Sequence, residues 1–215
     1  KLANVNAVHA VDSWSTVTGP FPITTSSAPI QATVNLLLIS DVVPLGGGGI
    51  KQGRNDAHLL TFSLASDKGD FAWQALTVHS TGTALDSDIR SVRIWKETDG
   101  GVPEAFAITD STITADSYRF NAGIADIALS STQFITTTKQ AYYVTVSLSS
   151  DAVPGRTIGV YISSSSSFLL SSPNRVSTET APFPLRGDPA PIDPYPNVVS
   201  VGTSSIVSSA GAARR

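Results

Sequence analysis

The sequence predicts an all-β fold, an antiparallel β-sandwich, and three observations carry that prediction. Short apolar runs alternate with polar residues at period two, the signature of strands with one buried face. Turn residues separate these runs at regular steps: Ser66-Asp67-Lys68-Gly69-Asp70, Thr98-Asp99-Gly100-Gly101, Asn121-Ala122-Gly123 and Val153-Pro154-Gly155. No stretch of useful length carries a helical apolar stripe.

The elements follow in order. A first strand is expected over Ile30 to Ile39, where Val34, Leu36 and Leu38 alternate with Asn35 and Leu37, and Pro44 and the glycines from Gly46 to Gly49 end it. From His58 to Ala65, Leu60, Phe62 and Leu64 oppose Thr61 and Ser63. From Phe71 to His79, Ala72, Leu76 and Val78 share one face, with Phe71, Trp73 and Thr77 on the other. From Ile89 to Lys96, Val92 and Ile94 point inward, Arg93 and Trp95 outward. Strands are also expected over Ala105 to Thr114, Ile124 to Leu129, Tyr142 to Leu148, Thr157 to Ile162 and Val198 to Val201. In Tyr142 to Leu148, Tyr142, Val144, Val146 and Leu148 oppose Tyr143, Thr145 and Ser147.

The flanks read differently. Residues 1–29 are polar, with X-Pro steps that favour an extended link. Residues 30–181 make the sandwich module, and 182–215 a Pro-rich link followed by a C-terminal strand. The prolines between Pro182 and Pro196 favour polyproline II, a semi-rigid spacer. The five serines from Ser163 to Ser167 read as a loop tip.

The two flanks are related. Thr18-Gly19-Pro20-Phe21-Pro22-Ile23 recurs 162 positions later as Thr180-Ala181-Pro182-Phe183-Pro184-Leu185. At the same shift Ser15, Thr16, Ala28, Pro29, Ile30 and Asn35 match Ser177, Thr178, Ala190, Pro191, Ile192 and Asn197. Self-similarity at one fixed offset marks a modular array, or a unit that joins to copies of itself. The chain then reads as one module with the end of one link before it and the start of another after it.

Composition narrows the function. Of 215 residues, 14% are charged, against about 25% in an average domain, and the net charge is −3. No basic field suits nucleic acid, and no Lys/Arg cluster suits an anionic membrane. No apolar run approaches the roughly 18 residues that span a bilayer. There is no cysteine, which excludes disulfides and thiolate metal sites. There is no methionine either, which points to a processed or excised chain, and the polar, charge-poor surface suits an extracellular or cell-surface protein.

From Ile30 to Ile162 the pattern resembles the immunoglobulin-like β-sandwich modules of large exported and surface-anchored bacterial proteins. The residues that carry the resemblance are Gln52-Gly53-Arg54-Asn55-Asp56 leading into Leu59-Leu60-Thr61-Phe62, and the run from Ser80 to Ile89 leading into Val92-Arg93-Ile94-Trp95. Thr98-Asp99-Gly100 and Tyr142-Tyr143-Val144-Thr145-Val146 complete it. The resemblance implies an extracellular structural or adhesive module, with no catalytic signature. Such modules are often richer in Asp and Asn in the turn that here reads Glu97-Thr98-Asp99-Gly100-Gly101-Val102, which leaves fewer carboxylates for calcium.

Candidate sites remain to be weighed. Asp86 and Asp88 in one loop and Asp99 in the next are the candidates for a weak calcium site, since a hard cation wants several converging oxygens. Arg186-Gly187-Asp188 has the form of an adhesion tripeptide, but its counterparts Thr24, Thr25 and Ser26 do not repeat it. Gly46 to Lys51 lacks the Gly-Lys-Ser/Thr and the helix of a phosphate loop. His9, His58 and His79 lack the paired spacing of a zinc site, and no nucleophile elbow is present. Trp73, Trp95 and Tyr143 are candidates for outward-facing aromatics and surface contact with glycans, set against packing in the core or against a neighbouring subunit, the favoured reading for each.

The expected function is therefore that of a structural subunit of an extracellular filament or surface assembly, not an enzyme, whose partners are copies of itself. The joint would be a terminal strand added to an open sheet edge. Val198, Val199, Val201, Ile206 and Val207 would form that strand, equivalent to the one holding Val34, Leu36 and Leu38. The alternative is one bead of a repetitive adhesin that binds glycans or a host surface.

Overall fold

Two β-sheets face each other across one apolar core. The computed structural model describes residues 32–44, 48–98, 106–115, 117–178 and 182–195. The chain divides at Thr33/Val34 into two compact units, and the second, Val34–Arg215, holds every strand described below.

The first sheet has the strand order β11-β1-β3-β8-β5-β6. Its members are β1 (Leu36–Pro44), β3 (Ala57–Ser66), β5 (Ile89–Lys96), β6 (Ser111–Thr112), β8 (Gln140–Leu148) and β11 (Arg175–Val176). The second sheet holds β2 (Ile50–Lys51), β4 (Phe71–Gly82), β7 (Ile124–Ile135), β9 (Thr157–Ile162), β10 (Phe168–Leu170), β12 (Leu185–Arg186) and β13 (Ala190–Asp193). There β4 pairs with β7 on one side and with β10 and β9 on the other, and β9 carries β12 and β13 on its far edge. Most pairs are antiparallel, as expected, but β1–β11 and β13–β2 are parallel, so both sheets are mixed.

The core follows the predicted alternation over parts of three strands. Leu60, Phe62 and Leu64 of β3, Val92 and Ile94 of β5, and Tyr142, Val144, Val146 and Leu148 of β8 are all buried in it. β9 adds Ile158, Val160 and Ile162.

Four expectations are corrected. The first strand begins at Leu36, and its buried residues are Leu37 and Ile39, while Val34, Leu36 and Leu38 are half-buried. The buried phase is therefore the opposite one, because four consecutive apolar residues from Leu36 to Ile39 give no phase of their own.

In β4, Phe71 and Trp73 share the core with Leu76 and Val78, although the two pairs differ in parity. The register against both β7 and β10 shifts between Trp73 and Ala75. This bulge turns the strand by one residue and brings both halves inward. The Trp73 Nε1–H donates to the Ala75 carbonyl at 2.8 Å, tying the indole to the bulge it creates.

The strand expected over Ala105 to Thr114 is reduced to Ser111–Thr112 among the described residues. From there Ile113 N–H bonds the Ile94 carbonyl, and Ser130 N–H bonds the Ile113 carbonyl. The segment thus steps from β5 to β7 and closes one side of the sandwich.

The Pro-rich segment is no free spacer over its described residues. Leu185, Ala190 and Ile192 are buried in the core, and β12 and β13 extend the second sheet beyond β9. The five-serine run forms a short 3₁₀ turn at Ser165–Ser167, with Ser167 buried.

Candidate functional site

The repeated Pro-rich segment packs along β9 of the second sheet. Leu185 pairs with Ile162, and Ala190 with Ile158, so the Pro-rich segment follows β9 along its length. Pro191 stands opposite Thr157 at the margin of the ladder, one residue before the pairing of β13 with β2 begins at Ile192, where a missing N–H is tolerated. Gly187 makes the close approach. Its N–H bonds the Val160 carbonyl at 2.9 Å, and a Cβ there would collide with the Leu59 carbonyl. Arg186 lies over the Tyr161 ring at 5.7 Å. The tripeptide Arg186-Gly187-Asp188 therefore has a local structural reason: a cation–π contact followed by a packing glycine.

At the far end, β13 meets β2 in parallel register, Ile192 opposite Ile50, and Gln52 N–H bonds the Asp193 carbonyl at 2.9 Å. A side chain at Gly49 would strike the Asp193 carboxylate, so this glycine makes room for the strand rather than for a phosphate.

The candidate assembly strand Val198, Val199, Val201, Ile206 and Val207 lies outside the described residues, as do Asp99 and residues 1–29.

The candidate calcium residues are committed to protein partners. Both oxygens of Asp86 accept from Gly123 N–H at 3.3 Å. Asp88 is buried and paired with Arg156 at 2.8 Å, and it also accepts from Leu85 and Val153 N–H groups. Burial alone would raise the Asp88 pKa, but the Arg156 hydrogen bond, the two backbone donors and the Arg156 charge outweigh it and hold the carboxyl below its usual range. No group of three or more His, Cys, Asp or Glu side chains converges among the described residues.

The three candidate surface aromatics are all buried, which corrects their assignment to surface contact. Trp73 went inward with the β4 bulge. Trp95 and Tyr143 do lie on the outer face of the first sheet, away from the main core, but that face is covered. They pack with Ala141 and Phe106 into a second small cluster. Trp95 Nε1–H donates to Thr145 Oγ1 at 2.8 Å, and the Tyr143 hydroxyl donates to Glu97. Alternation told which face they occupy, not that a loop would return across it.

His58 belongs to this cover, with its ring edge-on to Tyr143 at 5.1 Å and Nε2 at 2.9 Å from Thr61 Oγ1. Burial, only partly opposed by a Leu60 backbone hydrogen bond, lowers its pKa from 6.5 to about 4. The unfolded chain therefore takes up a proton here between these two values while the folded chain does not. The stability due to this group is complete above pH 6.5 and is lost as pH falls towards 4, by about 3 kcal/mol at most. Melting curves across this interval are expected to show a falling Tm, and the slope should flatten in His58→Gln. A parallel slope in that variant would place the acid sensitivity elsewhere.

Sequence reasoning also missed a group of arginines. Arg90 and Arg93 differ in parity, so strict alternation separates them. A register shift between Ile89 and Ser91 brings them to one cleft, which Arg119 joins from the segment after β6. No protein-family model matches this sequence, and no curated protein is significantly similar to it.

Proposed function

We propose that the chain carries one repeating structural unit of an extracellular assembly, with like units following one another at steps of 162 residues. The observation that carries this reading is what the repeated segment does. Its C-terminal copy completes the second sheet through Leu185, Ala190 and Ile192. The counterparts of these residues are Ile23, Ala28 and Ile30, an apolar set with the same spacing.

The β9 edge is already filled by β12 and β13, so the N-terminal copy calls for the equivalent edge of another unit. Val34 to Tyr195 spans one period and begins at the boundary between the two compact units. Val199 and Val201 then correspond to Leu37 and Ile39, the buried pair of β1. They would open the next unit in the same way. A charge-poor sequence without cysteine is the basis for an extracellular setting.

A second reading keeps the same equivalence but joins separate chains, the residues from Val198 to Val207 completing a neighbour's sheet. What favours it is the outer edge of β1. Its ladder with β11 covers only Leu36 and Leu37, leaving Ser40 to Pro44 with no strand on that side among the described residues.

Solution mass and electron microscopy of one sample separate the two. Consecutive units predict a monomer near 22.4 kDa whose mass does not grow with concentration. Strand exchange predicts polymers that do grow. A chain with residues 34–195 in duplicate is expected to show two equal beads melting together. Failure of the second copy to fold would overturn the unit boundaries.

A further inference from the structure

A polar cleft opens at one end of the first sheet, with a volume of about 310 Å³, lined by Asn55, Asp56, Arg90, Arg93, Ser117 and Arg119 among others. That volume lies at the lower end of the range for small-molecule sites, roughly 300–1,000 Å³. Its charge is the unusual feature. Among the described residues, three guanidinium groups and one carboxylate line it, in a chain whose net charge is −3.

The described carboxylate is largely spent. Asp56 is buried, its backbone held at φ 48°, and its N–H donates to Ser147 Oγ, whose hydroxyl returns a hydrogen bond to the carboxylate. Its contacts with Arg93 Nη1 are long, at 3.4 and 3.5 Å. They fix Arg93 in place, together with a 3.4 Å bond from Nη2 to Ser117 Oγ, without exhausting its five donors.

Arg90 is held by the amide oxygen of Asn55, a neutral acceptor, and no ion pair ties it to another described residue. Arg119 is exposed, and no hydrogen bond or ion pair ties its guanidinium to another described residue. Like charges gathered in a cleft repel one another, and an anion among them removes that cost. Planar guanidinium forks match the paired oxygens of carboxylate, sulfate and phosphate groups.

We propose that this cleft binds a small oxyanion, in which Arg93 is a fixed donor and Arg90 and Arg119 close on the ligand from either side. The described lining is polar and includes no aromatic platform, so recognition rests on the anionic group and not on an apolar body. The site is independent of how units are joined, and its failure would leave that reading untouched.

The test is thermal melting and calorimetry of the full chain with sodium phosphate, sodium sulfate or sodium glucuronate. Each is compared with sodium chloride at equal ionic strength, since screening alone affects surface charge. A saturating oxyanion is expected to raise Tm by about 3 °C or more. Arg119→Gln changes an exposed side chain, so it should fold normally and bind at least tenfold more weakly; Arg90→Gln should do the same. Stabilisation by glucuronate would identify the carboxylate of an acidic saccharide as the ligand, and stabilisation by phosphate or sulfate alone a tetrahedral group. No stabilisation beyond chloride, or equal binding by wild type and Arg119→Gln, would overturn the proposal.

Discussion

Trp73→Ala is expected to lower the unfolding free energy by about 3–5 kcal/mol, the cost of a large cavity in a packed core. The side chain is fully buried. Its ring meets Tyr142 edge-on at 5.1 Å and lies 6.0 Å from Phe168. Those neighbours belong to strands of both sheets, so the void would open where the layers meet. The change also removes the partner of the Ala75 carbonyl at the β4 bulge. Trp73→Phe separates the two effects, because it keeps much of the volume and loses the hydrogen bond. It should cost about 1–3 kcal/mol. Denaturant titration with an unchanged m-value reads both variants, and a loss under about 1 kcal/mol for the alanine would mean that the indole is not part of the core.

Ile192→Asp is expected to be at least as damaging, at roughly 4 kcal/mol or more, since it forces a carboxyl without a partner into an apolar site. Ile192 is 1% exposed, and it packs where β13 meets β2 and β9. The informative comparison is Ile30→Asp, one period earlier in the sequence. If the N-terminal copy belongs to another unit's sheet, this change should alter the melting of the chain by less than about 0.5 kcal/mol. Equal losses in the two variants would place both copies in one folded body and remove the basis for a repeating unit.

Much of the sandwich was legible in the sequence because alternation is a local signal. Leu60, Phe62 and Leu64 of β3, Val92 and Ile94 of β5, and Tyr142, Val144, Val146 and Leu148 of β8 lie inward where period two put them. What escaped was non-local. Leu36 to Ile39 is apolar on both faces, so phase had to come from the neighbouring strands. The β4 bulge depends on its pairing with β7 and β10, which no window around Trp73 contains. Trp95 and Tyr143 were put on the right face, yet burial there depends on a loop that includes Phe106. The Pro-rich stretch looked like a spacer because proline disfavours central strands, while two short strands, β12 and β13, with Pro191 at the margin of the β13–β2 ladder, accept it. The arginine cleft gathers residues from β5 and from a segment beyond β6, and no spacing rule links them.

The bulge has a further consequence at the rim of the second sheet. Opposite Gln74, the edge strand β7 carries Leu129, Ser130, Ser131 and Thr132 where a regular ladder would hold one residue. Leu129 and Ser130 turn aside to meet Thr114 and Ile113. A long straight rim would be a template for sideways pairing between molecules, and this interruption blunts it.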